Sequence, residues 1–116
     1  MNDNDIPILK KSYDLYKTLY TYRKTVSKQD KYTTWQQCEN LALYIIEQLF
    51  LASQLPKNEK IPLLEQTSLK LSFLKVLIRL IKEVKVIDLK KYAAIQENLD
   101  EIGRMLGGWL KNTKSM

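Results

Sequence analysis

The chain has 116 residues, 45% of them hydrophobic, and carries a net charge of +6 with a sequence pI of about 9.4. This length allows one hydrophobic core and is too short for two. Three Gly and three Pro provide few turn residues, which argues against a β-sandwich and favours a few long helices. We therefore expect a single all-α domain over residues 1–116, with an ordered core over about residues 5–112.

Cysteine use and the N-terminus indicate the compartment. Cys38 is the single cysteine, so no intrachain disulfide forms, and a lone thiol fits a reducing interior. The first residues, MNDNDIP, are acidic and polar and lack the features of a signal peptide. No window of about 18 residues is free of charge, which argues against a membrane span. We expect a cytoplasmic protein without a membrane partner.

Hydrophobic periodicity predicts four helices, of which the first two occupy the N-terminal half. The first helix covers about residues 5–27. The second begins at Thr33 or Thr34, because Thr33 and Gln36 are spaced as a capping box, and it ends near Gln54.

The third and fourth helices follow a polar loop at residues 56–60. Pro62 lies in the first turn of the third helix, which continues through residues 63–84, LLEQTSLKLSFLKVLIRLIKEV. Asp88 is spaced as the N-cap of the fourth helix, whose apolar residues recur every three or four positions as far as Trp109. Four helices joined by short connections predict an antiparallel up-and-down four-helix bundle.

The third helix has more apolar surface than a single bundle can cover. Successive residues of a helix are rotated by about 100°, which places most polar side chains of this helix within an arc of roughly 100°. Apolar side chains fill the rest of the circumference, and Lys70 is the one charged residue among them. A helix on the outside of a small domain needs an apolar stripe of about half that width. We therefore predict a second interface, in a homo-oligomer. Its expected residues on this helix are Leu74, Leu77, Ile78 and Ile81.

Several residue patterns that mark enzyme active sites are missing. The chain has no histidine, which excludes Ser/His/Asp and Cys/His catalysis and the Glu-x-x-His motifs of di-iron bundles. No Gly-rich loop precedes a helix, and Cys38 lies on a predicted core face. Glu97 and Glu101 are four apart, but Arg104 beside them indicates an exposed ion-pair cluster. We expect no enzymatic activity, no metal site and no cofactor.

Two rows of basic residues are the features of the sequence that indicate a function. Lys75, Arg79 and Lys82 follow one line on the third helix. Lys10, Lys17, Lys24 and Lys28 follow a similar line on the first. A row of cations on a rigid helix can bind the phosphates of a nucleic acid, because each neutralised phosphate releases counterions. The alternative is that these rows are the solvated faces of amphipathic helices.

The segment EIGRMLGGWL, residues 101–110, carries three glycines within six positions. Each glycine destabilises a helix interior by about 1 kcal/mol relative to alanine, so three of them need an explanation. One explanation is that a neighbouring backbone approaches the helix closely, and the alternative is that the helix frays after Leu106. With the preceding LKVLIRLIKEVKVI, this segment resembles the accessory variability determinant (Avd) family of diversity-generating retroelements. The resemblance covers about residues 38–111. The same superfamily includes four-helix bundle proteins encoded in ribosomal RNA intervening sequences.

The resemblance implies a homopentameric, barrel-like ring of four-helix bundles that binds a reverse transcriptase and nucleic acid, both template RNA and cDNA, in support of mutagenic retrohoming. Lys75 and Arg79 match basic positions in the family's third helix, and Arg104 matches the arginine of the final motif. Gly107 and Trp109 are expected in the wall between subunits. The second helix departs from the pattern because it has no basic residue.

Two other functions stay open. A pure protein-interaction bundle could present its basic face to an acidic protein and never bind nucleic acid. A scaffolding dimer of the ribosomal intervening-sequence type would have no retroelement role.

Overall fold

The computed structural model describes residues 5–115 and is built from four long helices and one short one. The elements are α1 (Asp5–Tyr22), α2 (Lys28–Lys31), α3 (Thr34–Gln54), α4 (Lys57–Glu83) and α5 (Leu89–Lys114). A 3-10 turn, Arg23–Thr25, follows α1. Residues 1–4 and 116 of the expected domain, including most of the acidic N-terminus, lie outside the described residues.

The four long helices pack antiparallel, and the fold measures 46 × 21 × 20 Å. Helix α1 packs against α3 and α5, and α4 packs against the same two helices, so α1 and α4 lie diagonally across the bundle. The predicted all-α, antiparallel four-helix bundle is confirmed. Within residues 5–115, no helix is both long enough and apolar enough to cross a bilayer.

The core is formed by apolar rows on each long helix. The buried side chains recur at spacings of three and four, which places them on one face. The largest is Trp35, which has no exposed surface. The other large residues under 2% exposed are Ile8, Leu15, Leu19, Ile45, Leu49, Leu64, Leu74, Ile78, Ile81, Ile95, Leu99, Ile102 and Leu106. Burying one such side chain stabilises the fold by about 1.5–3 kcal/mol before entropy costs.

Helix α1 ends earlier than the sequence predicts. The chain leaves helical geometry at Val26, whose backbone is extended (φ −88°, ψ 141°) and whose side chain is 4% exposed. Ser27 then caps α2, since its hydroxyl accepts the Asp30 backbone N–H. Docking Val26 into the core therefore ends the helix predicted over residues 5–27 early, as α1 and a 3-10 turn, and α2 follows as a separate short helix.

The two predicted N-caps have different outcomes. Asp88 is confirmed, because its carboxylate accepts the Lys91 backbone N–H at 2.8 Å. The capping box of Thr33 and Gln36 is wrong, although α3 does begin at Thr34. The Thr33 hydroxyl instead donates to the Gln29 carbonyl oxygen at 3.0 Å, at the end of α2, and makes no cap.

Helix α4 begins at Lys57, so the predicted polar loop at residues 56–60 is mostly its first turn. Pro56 is the extended N-cap residue, and its carbonyl oxygen accepts the Lys60 backbone N–H at 2.9 Å. Pro62 is consequently an internal helix residue, which removes the bond to the Asn58 carbonyl. Asn58 is exposed, so this missing bond falls on the solvent side.

Helix α5 continues to Lys114, two residues beyond the predicted ordered core. Thr113 is 3% exposed, and its hydroxyl donates to the Trp109 carbonyl oxygen at 2.8 Å. The helix therefore passes through residues 103–108 without a break, and the fraying interpretation of the three glycines is wrong.

Candidate nucleic-acid interface

The basic row of α4 lies at the seam between α4 and α5. Lys75 is half-buried, and its Nζ forms an ion pair with Asp100 Oδ1 at 3.1 Å. The Lys82 Nζ lies 4.5 Å from the centre of the Tyr92 ring, while Arg79 is exposed. Two of the three predicted phosphate ligands therefore have partners within the chain, and Arg79 is the most accessible of them.

The basic row predicted for the first helix faces solvent but is not on one helix, because Lys10 and Lys17 lie on α1, Lys24 in the 3-10 turn and Lys28 in α2. Lys10, Lys17 and Lys24 are all exposed. Lys17 makes one long contact, 3.9 Å, with Asp14. Because α1 and α4 are diagonal in the bundle, the structure does not bring the two rows together into one surface along the bundle wall.

The predicted charge cluster near the final motif is present. Arg104 Nη2 donates to Glu101 Oε2 on the surface of α5. Asp100 is engaged by Lys75, so two of the three acidic residues of α5 are paired with cations. Within residues 5–115, no group of three or more acidic or cysteine side chains is arranged to hold a metal ion.

Lys70, the charge set among apolar residues on α4, has both a partner and access to water. Its side chain is exposed, and its Nζ lies 5.6 Å from the centre of the Tyr44 ring on α3. A cation above the face of a tyrosine is attracted by the ring quadrupole.

One end of the bundle concentrates the positive charge. We define the basic end as residues 22–33 and 82–92, which are the connection from α1 to α3 and the connection from α4 to α5, each taken together with the helix residues beside it. It contains eight basic and three acidic residues, a net charge of +5 out of the chain's +6. The basic residues are Arg23, Lys24, Lys28, Lys31, Lys82, Lys85, Lys90 and Lys91.

Contacts between the two connections show that they share one end. Lys91 Nζ lies 5.7 Å from the centre of the Tyr22 ring. An open cleft of about 540 Å³ is lined by Thr25 from the first connection and by Lys82, Lys85 and Lys91 from the second. The two basic rows predicted from the sequence did not reveal this cluster, because it combines residues from two connections that are far apart in the chain.

A second cleft, of about 510 Å³, lies at the end of α1. It is lined by Tyr20, Thr21, Arg23, Lys24 and Lys31. Tyr20 is 65% exposed, and Tyr32 nearby is 61% exposed, with the Arg23 guanidinium carbon 5.3 Å from its ring centre. Exposed aromatic rings therefore alternate with cations at this end.

Lys85, one of the cations of the basic end, has a backbone conformation that favours glycine. Lys85 has φ 66°, and the Val86 N–H bonds the Ile81 carbonyl oxygen at 2.8 Å, which together form a Schellman motif at the end of α4. Glycine is the usual residue there, because a side chain is strained in the left-handed region. The chain places a lysine at this position.

Most of the residues predicted for a subunit interface belong to the core of the single chain. Leu74, Ile78 and Ile81 have no exposed surface, and Trp109 is 5% exposed. Leu77 is half-buried against the same core. A side chain with no exposed surface has none to bury against a second copy, so the structure moves Leu74, Ile78 and Ile81 from interface to core, while the interface role of Leu77 stays a prediction.

A different row of α4 carries the excess apolar surface. We call it the outer stripe, because it lies on the side of α4 away from the core. Its residues are Leu69, Phe73, Val76, Leu80 and Val84, each between 47% and 68% exposed. Their spacings of four, three, four and four positions keep them on one line of the helix. The predicted excess of apolar surface on α4 is therefore present, but it lies on the face opposite to Leu74, Ile78 and Ile81, which were first assigned to it.

The glycines of α5 are of two kinds. A Cβ on Gly103 would lie 3.4 Å from Lys75 Nζ and 3.7 Å from Leu71 Cδ2, which are ordinary van der Waals contacts with side chains, so the predicted close approach of a neighbouring backbone is not found there. Gly107 and Gly108 are exposed, and nothing in the described structure lies within 4 Å of such a Cβ. No intrachain packing explains these two glycines.

Cys38 has the environment of a structural thiol. It is fully buried, and burial, with the Glu39 charge as a smaller cause, raises the pKa of the thiol to about 12. A thiol with so high a pKa is almost entirely protonated at neutral pH and is a poor nucleophile.

Comparison with known proteins identifies the family. A family model described as bAvd-like matches residues 6–113, which is nearly the whole chain and includes the motif at residues 101–110. No curated protein and no solved structure gives a match. The resemblance inferred from the motif is confirmed. The chain therefore belongs to the bAvd-like family, an accessory protein family without known catalysis.

Proposed function

We propose that this protein is a non-enzymatic accessory subunit of a diversity-generating retroelement, where it binds the reverse transcriptase and nucleic acid and supports mutagenic retrohoming. The observation that carries the proposal is the bAvd-like family match over residues 6–113. The protein acts by holding template RNA and cDNA near the polymerase.

Basic surface residues support the nucleic-acid part of this function. Lys10, Lys17, Lys24, Arg79 and Arg104 are exposed and can reach phosphates. Lys75 and Lys82 contribute once a phosphate replaces their partners, Asp100 and Tyr92. Contacts of this kind neutralise phosphates without reading bases, so RNA and DNA of unrelated sequence should both bind.

A mobility-shift titration tests nucleic-acid binding. The full chain is titrated against labelled RNA and DNA of scrambled sequence over a range of salt concentrations. We expect both to bind, with log K falling steeply as log salt rises. No shift at physiological salt would contradict this part of the function.

Assembly into a homopentameric ring is supported by the outer stripe. Five large apolar side chains in one exposed row exceed the scattered apolar residues of an ordinary surface, and such a row marks a protein interface. Gly107 and Gly108 add a surface of α5 that a neighbouring backbone could approach closely. Five copies of the 13.7 kDa chain would have a mass of about 68 kDa.

Co-purification tests the polymerase partner. The reverse transcriptase encoded by the same retroelement is tagged and expressed with this chain. We expect the chain to be retained on the tagged polymerase, and the complex to make more cDNA from the template repeat than the polymerase alone. A polymerase that neither retains the chain nor responds to it would overturn the accessory role.

The alternative is a protein-interaction or scaffolding bundle of the ribosomal intervening-sequence type. The ion pair between Lys75 and Asp100 and the stacking of Lys82 on Tyr92 favour it, because both cations are satisfied without a polyanion. A dimer mass of about 27 kDa, twice 13.7 kDa, together with no shift of RNA or DNA, would support this alternative.

A further inference from the structure

We propose that the basic end is a binding surface for single-stranded nucleic acid, with lysines on the phosphates and exposed tyrosines stacked on the bases. This inference rests on the proposed nucleic-acid function and adds the location and strandedness of the ligand. The first argument is charge, since a net +5 of the chain's +6 lies in this end.

The exposed cations are placed to meet a backbone that crosses the end. Lys24 and Lys28 come from the first connection, and Lys85 and Lys90 come from the second. All four side chains are exposed. The clefts beside them, of about 540 and 510 Å³, are lined by further cations, so a strand that spans both clefts meets positive charge along its path.

Aromatic rings contact three of the other four cations of the basic end, two of which also form ion pairs, Arg23 with Glu39 and Lys91 with Asp88. Arg23, Lys82 and Lys91 each lie over a tyrosine ring, at 5.3, 4.5 and 5.7 Å from the ring centres. Like charges brought together repel, and the negative face of a ring partly offsets that repulsion. Lys85 adds charge at a position where glycine would relieve backbone strain.

The exposed tyrosines favour a single strand over a duplex. Tyr20, just before the basic end, lines the second cleft with Arg23, Lys24 and Lys31, and the Arg23 guanidinium lies over the ring of Tyr32. Both tyrosines are more than 60% exposed. Unpaired bases stack on such rings irrespective of sequence, whereas the bases of a duplex are already stacked on each other. A positive groove with aromatic side chains is the usual arrangement for binding single strands without sequence preference.

A quadruple variant tests the lysines. The end variant carries Lys24→Gln, Lys28→Gln, Lys85→Gln and Lys90→Gln. The matched control carries Lys57→Gln, Lys70→Gln, Lys111→Gln and Lys114→Gln, which remove the same charge elsewhere on the surface from side chains that are also exposed. Binding of labelled single-stranded RNA and DNA of scrambled sequence is measured by fluorescence anisotropy against salt, and circular dichroism checks helix content.

The end variant should lower the magnitude of the salt slope by about 0.7 for each lysine that contacts a phosphate, up to about 3 in total. The control variant should retain the slope of the original chain. If the end variant loses helix content, the four single substitutions replace it, each with an expected change of up to about 0.7.

Tyr32 tests the stacking. Tyr32→Ala should weaken single-strand binding about fivefold or more with the salt slope unchanged, and Tyr32→Phe, which keeps the ring, should bind as the original chain does. A duplex of the same sequence should bind more weakly than the single strand and should not respond to Tyr32→Ala.

The possible results distinguish the single-strand site at the basic end from the proposed nucleic-acid function as a whole. If the original chain binds no nucleic acid, both are overturned. If it binds and the end variant keeps the full slope while the control loses slope, the basic end is overturned and the function stands. Equal losses for Tyr32→Ala and Tyr32→Phe, or tighter binding of the duplex, would overturn the assignment to single strands.

Discussion

The outer stripe of α4 and the basic end are two surfaces of one small bundle with opposite chemistry. The stripe exposes five large apolar side chains along a single helix, and the basic end gathers a net charge of +5 from two connections. Apolar surface is stabilised by burial against protein, while clustered cations are stabilised by a polyanion. The contrast suggests separate roles, in which the side wall joins subunits and the end binds nucleic acid.

The largest expected effect distinguishes the two apolar faces of α4. Leu74 is completely buried and Leu69 is 68% exposed. Leu74→Ala should destabilise the dissociated chain by about 2–5 kcal/mol, through lost burial and the cavity left behind. Leu69→Ala should change it by less than about 0.5 kcal/mol. Urea unfolding measures both, and equal costs would contradict the division of α4 into core and outer faces.

The next effect concerns the ion pair beneath the basic end. Arg23 Nη1 donates to Glu39 Oε1 at 2.9 Å, and the Glu39 side chain is 5% exposed. Arg23→Met should cost about 2 kcal/mol because it leaves a buried carboxylate without its partner. The exposed pair of Arg104 with Glu101 is the control, and Arg104→Met should cost less than about 0.5 kcal/mol. If thermal unfolding shows that Arg23→Met costs as little as Arg104→Met, the buried ion pair of Arg23 does not stabilise the fold.

A smaller effect separates charge from backbone strain at the basic end. Lys85→Gly should stabilise the fold by about 0.5–1 kcal/mol, because glycine adopts φ 66° without strain. Lys85→Gln removes the charge and keeps the strain, so it should leave stability unchanged. Both variants should lower the salt slope of nucleic-acid binding equally. Unequal slopes would mean that loop geometry, and not charge, governs binding at this position.

The smallest effect is a pH dependence at the start of α5. The backbone N–H of Lys91 holds the pKa of the Asp88 carboxyl below its ordinary value. A pKa that is lower in the folded chain than in the unfolded chain gives stability above the unfolded pKa, and this stability is lost as the pH falls through the folded pKa. Asp88→Asn, which can still cap the helix, should remove this part of the acid sensitivity.

The same substitution sharpens the comparison between the two surfaces. Asp88→Asn removes one negative charge from the basic end and leaves the outer stripe untouched, so it should tighten nucleic-acid binding at neutral pH without changing the number of subunits in the assembly. Acid unfolding followed by circular dichroism gives the pH dependence. An unchanged acid transition together with unchanged binding would show that Asp88 contributes to neither property.

Much of the fold could be predicted from periodicity and capping. The rows of apolar residues located all four long helices, and Asp88 marked the start of α5 correctly. The end of α1 could not be predicted, because Val26 leaves the helix in order to reach the core. The start of α4 was missed because Pro62 resembles a first-turn proline, whereas Pro56 sets the actual start.

The sites were harder to predict than the helices. Periodicity showed that α4 is apolar on more than one side but not which side faces inward, so Leu74, Ile78 and Ile81 were assigned to the wrong surface. Packing against α3 and α5 decides that choice. The basic end required the tertiary structure, although the dense basic residues at 23–31 and 82–91 were a visible signal in the sequence.

The mass of the chain in solution tests most directly whether the outer stripe is a subunit interface. Size-exclusion chromatography with light scattering should give about 68 kDa for five copies of the 13.7 kDa chain. Leu69→Ser with Leu80→Ser, both at exposed positions of the stripe, should give a folded 13.7 kDa monomer that retains its helix content. An original chain of 13.7 kDa at every concentration, or an assembly unaffected by the two serines, would contradict the account.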